Sequence, residues 1–258
     1  MPKSIALLFL SLLLLPSRAA AESLQGIQER GRLIVAVKDN TRPLGFKGSN
    51  GQLQGLEIDI ARRLSQEILG KPDKVDFQPV KNQERLRVLL DGKVDLTIAR
   101  LSVNNSRSRV VDFSRPYYRE TTSIITNSPN IRKPMDLVQK RVAVLQGSST
   151  ALILTNRFPQ AKLVPVASYQ VAKNLLDRHQ VEAFAGDKSL LVGWVQEYPQ
   201  YRLLAGALPG NTLDARESIA IAMPRGKKYD PLWRFVDETI QKWEKEGWLQ
   251  ARIRYWGL

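Results

Sequence analysis

In the stretch VDLTIARLSVNNSR, residues 94–107, Val94, Leu96 and Ile98 alternate with small or polar residues, and two arginines, Arg100 and Arg107, follow. The alternation is that of a buried strand, and an arginine buried without a partner is costly. A guanidinium is a planar fork that takes a carboxylate through two parallel hydrogen bonds. Arg107 has the chemistry for that task, and the Ser102 hydroxyl can share the same anion. Further on, QGSST at residues 146–150 opens a predicted helix, where free backbone N–H groups and the helix dipole favour a negative group. Ser148 and Ser149 lie at that start. Asp187 has the opposite sign and can receive an ammonium. A carboxylate and an ammonium held together describe the backbone of an α-amino acid. Plainer roles stay open for each residue: Arg107 can pair with Asp112, and Ser148, Ser149 and Asp187 can be ordinary helix N-caps.

These residues need elements to position them. Leu33 to Val37 is a run of β-formers, followed by a loop from Asp39 to Gly51 with Pro43 and several glycines. GLEIDIARRLSQEILG has Ile58, Ala61, Leu64 and Ile68 on one helical face, Glu57 and Asp59 near its positive end, and Gly70 as a stop. Val75 to Val80 reads as a strand, Gln83 to Asp91 as a helix with Leu86, Leu89 and Leu90 inward, and Val94 to Ala99 as a strand. That order argues for a parallel sheet covered by helices. The second half repeats it, with strands predicted at 141–145, 162–166 and 181–185 and helices after residues 146, 169 and 187. Residues 119–134 form the passage between the units. Ser218 to Met223 reads as one more strand, and two final helices carry Trp233, Trp243, Trp248 and Trp256, read as core anchors. In open α/β sheets ligands bind beyond the carboxyl ends of strands, where Asp39, the segment 100–107, the segment 146–150 and Asp187 all fall.

The chain has 258 residues, 43% of them hydrophobic, which suffices for one large domain or two smaller ones and excludes general disorder. With no cysteine, a disulfide scaffold, a thiol nucleophile and a cysteine-based metal site are excluded, and a single histidine, His179, leaves no histidine cluster. No cofactor and no metal site is expected. Lys3, the apolar run IALLFLSLLLL and Ala19-Ala20-Ala21 read as an export signal cleaved near Ala21. The run is shorter than the roughly 17–25 residues that span a bilayer. Removing it takes Lys3 and Arg18 from the formal charge of +14 and leaves +12. The basic residues are scattered and carry no interleaved aromatic stripe, so an anionic membrane or partner fits this charge better than nucleic acid.

The segments LGFKGSNGQLQGLEIDIARRL, DGKVDLTIARLSVNNSRSRVVDFSRPYY, RVAVLQGSST and VEAFAGDKSLL resemble, in this order, the family 3 solute-binding proteins of amino-acid ABC importers, in particular the glutamine-binding and lysine/arginine/ornithine-binding types. The most specific piece is Arg107 followed by Asp112-Phe113-Ser114 and Pro116-Tyr117-Tyr118. The resemblance covers residues 30–258. It implies an α/β, two-lobed periplasmic-binding-protein type II fold, the Venus flytrap, with two α/β lobes joined by two hinge strands near 117–124 and 212–220. Lobe 1 would comprise 22–118 and 219–258, and lobe 2 residues 119–218. It further implies that Arg107 grips the substrate carboxylate, with backbone and hydroxyl contacts from Ala99 and Ser102. Leu145, Ser148 and Ser149 would add contacts from lobe 2, Asp187 would take the α-ammonium, and Asp39 would face the substrate. The expected partners are a small-molecule amino acid, glutamine- or glutamate-like, and an ABC permease with its ATPase subunits at the inner membrane. The protein is expected to be periplasmic and monomeric.

Three departures from the family pattern bear on the ligand. The aromatic pair that usually sandwiches the side chain is replaced by residues near Thr41 and Asn82, with Phe46 as a substitute. The small residue after Ala99 is Arg100, and the acid before the key arginine is Ser106. Arg100 either points into the cleft toward an acidic or amide side chain, or lies along the strand edge paired with an acidic neighbour. Cyclohexadienyl dehydratases, which act on prephenate or arogenate, resemble the same proteins, and that activity needs a general acid in the cleft, with Glu217 or Glu120 in position. A sensor module ranks behind both readings.

Overall fold

The computed structural model describes residues 22–146, 148–204 and 217–258. The export signal with its cleavage point, Gly147 and the hinge positions 212–216 lie outside the described residues, as do the side chains of Ser149 and Glu217.

Two five-stranded sheets form the centres of two lobes. In the first, Val75–Pro79, Leu33–Val37, Leu96–Ile98, Ala222–Pro224 and Val111–Phe113 lie side by side in that order. The first three run parallel, and Ala222–Pro224 runs antiparallel to both neighbours. In the second, the order is Lys162–Val166, Arg141–Leu145, Ala183–Asp187, Thr122–Thr126 and Arg202–Leu203. Its first three strands are parallel and Thr122–Thr126 is antiparallel to its neighbours. Each sheet is therefore mixed where the sequence pattern predicted parallel pairing, because each takes in a strand that enters or leaves through the connection between lobes. That connection is a two-stranded ribbon, Tyr118–Glu120 against Glu217–Ile219, with Glu120 opposite Glu217.

The helix Leu56–Leu69 follows its predicted pattern. Leu56, Ile58, Ile60, Ala61, Leu64 and Ile68 are buried, and Gly70 ends it in a left-handed turn at φ 73° that glycine adopts without penalty. On its outer side Asp59 accepts from the indole N–H of Trp256 at 2.8 Å and pairs with Arg252, tying the chain's end to this helix. Trp243 is wholly buried and packs against Trp248, ring centres 4.8 Å apart. Trp233 corrects the expectation that all four tryptophans are core: it is 36% exposed and donates its indole N–H to Phe113 O at 2.9 Å.

Two other elements differ from the sequence pattern. Only Arg87–Leu90 of residues 83–91 is α-helical, and Leu90 faces solvent. The carbonyls of Asn82 and Arg85 are taken by the Arg85 guanidinium at 3.0 Å and the Thr97 hydroxyl at 3.0 Å, so side chains satisfy what a helix would otherwise use. The run SIAIAM is two strands in two sheets. At its break Ala220 N–H donates to Leu101 O, and Ile221 N–H to the Ser114 hydroxyl. The serine of Asp112-Phe113-Ser114 thus fastens the returning chain to lobe 1.

Candidate functional site

The carboxyl ends of the parallel strands in both sheets face a cavity of about 730 Å³. From lobe 1 it is lined by residues 38–42 after the first strand, by Phe46 and Lys47, and by Asn82 and Arg100. From lobe 2 it is lined by Tyr169, Leu190, Gly193, Trp194, Gln196 and Glu197. The helix Lys188–Glu197 lies close against the first loop: a Cβ on Gly193 would stand 2.3 Å from Arg42 O, so only glycine fits. Gln196 also reaches across, donating to Trp256 O at 3.0 Å.

Arg100 crosses this space. Its backbone belongs to lobe 1 and holds φ 48°, a left-handed value that is uncommon outside glycine. Its N–H donates to Glu57 Oε1 at 2.6 Å and its carbonyl accepts from Arg85 at 2.6 Å. Its guanidinium pairs with Asp187 of lobe 2 and stands 3.5 Å from Glu120 Oε2. Burial works against the guanidinium's charge, and Asp187 and Glu120 outweigh that, so its pKa rises above the ordinary value. Arg100 faces the cleft and, instead of lying along its own strand edge, pairs with acids from lobe 2. Asp187 occupies an N-cap position, yet its carboxylate makes no capping bond and turns to Arg100 instead.

Glu120 is almost fully buried. It accepts from Ser189 N–H at 3.0 Å, from the Ser189 hydroxyl and from Thr121 N–H at 3.2 Å. Burial raises its pKa, against the pull of Arg100 and Ser189.

Arg107 lies on the same wall of lobe 1, outside the cavity lining. One Nη donates to Ser102 O at 2.7 Å and to the Ser102 hydroxyl at 2.8 Å, so the two residues predicted to share a carboxylate are already in contact. The alternative pairing with Asp112 is not formed; Asp112 stands 3.8 Å from Arg225. Between Arg107 and Arg100 sits Arg85, whose guanidinium also donates to Ala99 O at 3.1 Å. Burial lowers the pKa of Arg85, and the charges of Arg107 and Arg100 lower it further. Lys38, nearly buried, donates to Val80 O at 2.9 Å and has its pKa lowered first by burial and then by Arg85. Among the described residues, no carboxylate pairs with Lys38, Arg85 or Arg107.

One acid behind this wall leaves the positive field standing. Glu57 is fully buried; the hydroxyl of Tyr117 donates to its Oε1 at 2.6 Å, and its Oε2 has no hydrogen-bond partner among the described residues. Burial pushes its pKa up to about 7 in spite of Tyr117, Arg100 and Arg85. A carboxyl so shifted carries at most part of its charge near neutrality.

The remaining predicted residues are placed as follows. Asp39 lines the cavity and stands 3.5 Å from Lys47 Nζ. Ser148 is the N-cap of the helix Ser149–Arg157, accepting from Ala151 N–H at 3.2 Å, so its hydroxyl serves the plainer role. Leu145 ends its strand half-buried in lobe 2. The structure thus joins Arg100 with Asp187, and Arg107 with Ser102, and records no contact between Arg107 and Ser148. Phe46 lines the cavity, with the Arg42 guanidinium stacked 3.9 Å above its ring, and Tyr169 and Trp194 face it from lobe 2. As site residues, Lys38, Arg85, Tyr169 and Trp194 are not singled out by the sequence pattern, although Lys38 is a charged residue directly after the first strand; Glu57 and Tyr117 appear there only as an acid near a helix start and as part of the family motif.

The model for bacterial extracellular solute-binding proteins, family 3, matches residues 33–258. The glutamine-binding protein of a Bacillus subtilis ABC transporter is 25% identical over 91% of this chain and 84% of its own length. The cyclohexadienyl dehydratase of Pseudomonas aeruginosa is 28% identical over 99% of this chain and 96% of its own. Among solved structures, an ancestral cationic amino-acid solute-binding protein superposes with a TM-score of 0.73 at 25% identity, covering 90% of this chain and 98% of its own. Sheet order, ribbon and match agree: the chain belongs to family 3 of the bacterial extracellular solute-binding proteins.

Proposed function

We propose that this protein is the extracytoplasmic binding component of an ABC importer, holding a polar or acidic α-amino acid, glutamine- or glutamate-like, between its lobes and delivering it to a membrane permease with its ATPase subunits. The observation that carries this reading is the opposition of charge across the cleft. Among the described residues, lobe 1 presents Lys38, Arg85 and Arg107 without carboxylate partners, while Asp187 and Glu120 stand on the other side. A zwitterion fits between them in one orientation, carboxylate toward lobe 1 and ammonium toward lobe 2.

In this reading Arg107 and Ser102 take the carboxylate, with Ala99 supplying backbone. Asp187 takes the ammonium, and Leu145, Ser148 and Ser149 contribute from lobe 2. Asp39, Asn82, Phe46, Tyr169 and Trp194 surround the side chain. A ligand that touches both lobes favours their closed arrangement. Mature protein would work as a monomer in the periplasm after loss of its signal near Ala21. A thermal-shift screen across the amino acids and small dicarboxylates tests the assignment, since a ligand of the folded form raises the melting temperature by mass action. A shift with polar or acidic α-amino acids is expected. A shift only with carboxylates that carry no amino group would remove Asp187 from its role.

A dehydratase on the same scaffold is the second reading, favoured by one observation: Glu120 is a buried carboxyl with a raised pKa beside the cleft. Three donors already hold it, which suits an ionised acceptor better than a proton donor. Incubation with prephenate decides: turnover to phenylpyruvate would replace the transport reading, and none is expected.

A further inference from the structure

We propose that Arg100 is an internal competitor for the ligand's ammonium at Asp187 and, by the same bond, a tie between the lobes. The inference rests on the amino-acid reading above and adds a specificity-determining residue to it.

Three features carry it. The backbone of Arg100 is fixed to lobe 1 from both sides, through its N–H on Glu57 and its carbonyl on Arg85. Its side chain is largely buried and ends on Asp187, which belongs to the strand Ala183–Asp187 of lobe 2. Asp187 is free for this bond because it does not cap the helix that it begins. The guanidinium occupies Asp187 Oδ2, so an ammonium that takes that oxygen must move Arg100 off it.

Glu120 makes that exchange feasible. Two carboxylates, Asp187 and Glu120, face the one guanidinium, and the Glu120 oxygen is already 3.5 Å from it. When an ammonium takes Asp187, Arg100 keeps a charge partner in Glu120, and two cations then balance two anions. Before the exchange the cluster has one negative charge in excess, which draws a cation in. The buried Nε of Arg100, which has no hydrogen-bond partner among the described residues, shows that the present seat does not satisfy the whole guanidinium. Occupation of the seat by the chain itself lowers the apparent affinity, because only the fraction of molecules with Asp187 free is competent to bind.

The consequence is opposite to that of an ordinary ligand contact: removing Arg100 strengthens the binding of amino acids. The test uses full-length mature protein freed of ligand by unfolding and refolding, as wild type, Arg100→Gly and Asp187→Asn. Glycine suits the left-handed φ of this position, so Arg100→Gly does not strain the fold, and the thermal transition of each variant verifies folding. Small-angle scattering without ligand is expected to give a larger radius of gyration for both variants than for wild type. Titration calorimetry is expected to show L-glutamate bound about tenfold more tightly by Arg100→Gly, while 2-oxoglutarate, which lacks the ammonium, is unaffected.

Unchanged dimensions in both variants would overturn the tie, and weaker or equal L-glutamate binding by Arg100→Gly would overturn the competition and make Arg100 a plain contact or a bystander. If neither probe binds any of the proteins, the acidic amino-acid reading fails separately, and the scattering alone decides for or against the tie.

Discussion

The two walls of the cleft are built from the same strand pattern and carry opposite chemistry. Lobe 1 brings Lys38, Arg85, Arg100 and Arg107 to the ends of its strands; lobe 2 brings Asp187 and, just behind it, Glu120. Among the described residues no carboxylate pairs with Lys38, Arg85 or Arg107, and burial raises the pKa of Glu57 behind them to about 7, so it carries only part of its charge near neutrality. On the lobe 2 side the acids are held by backbone N–H groups, by the Ser189 hydroxyl and by Arg100 from across the gap. The sheets set the positions, and the residues after each strand set the sign. A zwitterion therefore meets an oriented field, and the lobes attract one another through Arg100 in addition to their hinge ribbon.

Binding depends most on the lobe 1 wall. Arg107→Ala leaves the ligand's carboxylate without its fork and should weaken amino-acid binding by about 2–5 kcal/mol, read by titration calorimetry. Normal binding by this variant would remove the site from that wall.

Glu57 is buried behind that wall. Its carboxyl ordinarily titrates near 4.5 and in the folded protein near about 7. Between those values the unfolded chain has lost the proton and the folded chain keeps it, so stability falls as pH rises through that window and levels off above it. The difference is on the order of 3 kcal/mol. Urea titrations of wild type and Glu57→Gln across this range should show that part of the slope only in wild type; parallel curves would mean that Glu57 is charged and cancels the wall's cations.

Those two residues show how far the sequence could be read. The strands, the helix Leu56–Leu69, the Gly70 stop and the adjacency of Ser102 to Arg107 follow from periodicity, caps and spacing, because they are local. The partnership of Arg100 with Asp187 joins residues 87 positions apart, and that of Glu57 with Tyr117 joins residues 60 apart. Only the strand order of the sheets and the apposition of the two lobes bring them together, and no local pattern encodes either. The helix predicted over residues 83–91 failed for a related reason. Arg85 spends its guanidinium on carbonyls 82, 99 and 100, a long-range demand that overrides local propensity.

Smaller effects test the lobe 2 wall. A side chain on Gly193 would strike the Arg42 carbonyl, so Gly193→Val should hold the lobes apart and enlarge the radius of gyration in small-angle scattering. Unchanged dimensions would mean that the helix and the first loop yield there. Trp194→Ala, at the side-chain end of the cavity, should cost about 0.5–1.5 kcal/mol, and should reorder the ranking of amino acids in the thermal-shift screen without abolishing binding. Uniform loss for every amino acid would instead place Trp194 beside the ligand's backbone.

In the proposed site the ligand's carboxylate lies on the lobe 1 cations. The direct measurement is a titration of wild type and Arg107→Ala with the best-binding amino acid and with the amine obtained by removing its α-carboxylate. Loss of the carboxylate should weaken binding strongly in wild type and hardly at all in Arg107→Ala, because the two losses are the same interaction. Equal weakening in both proteins would contradict it.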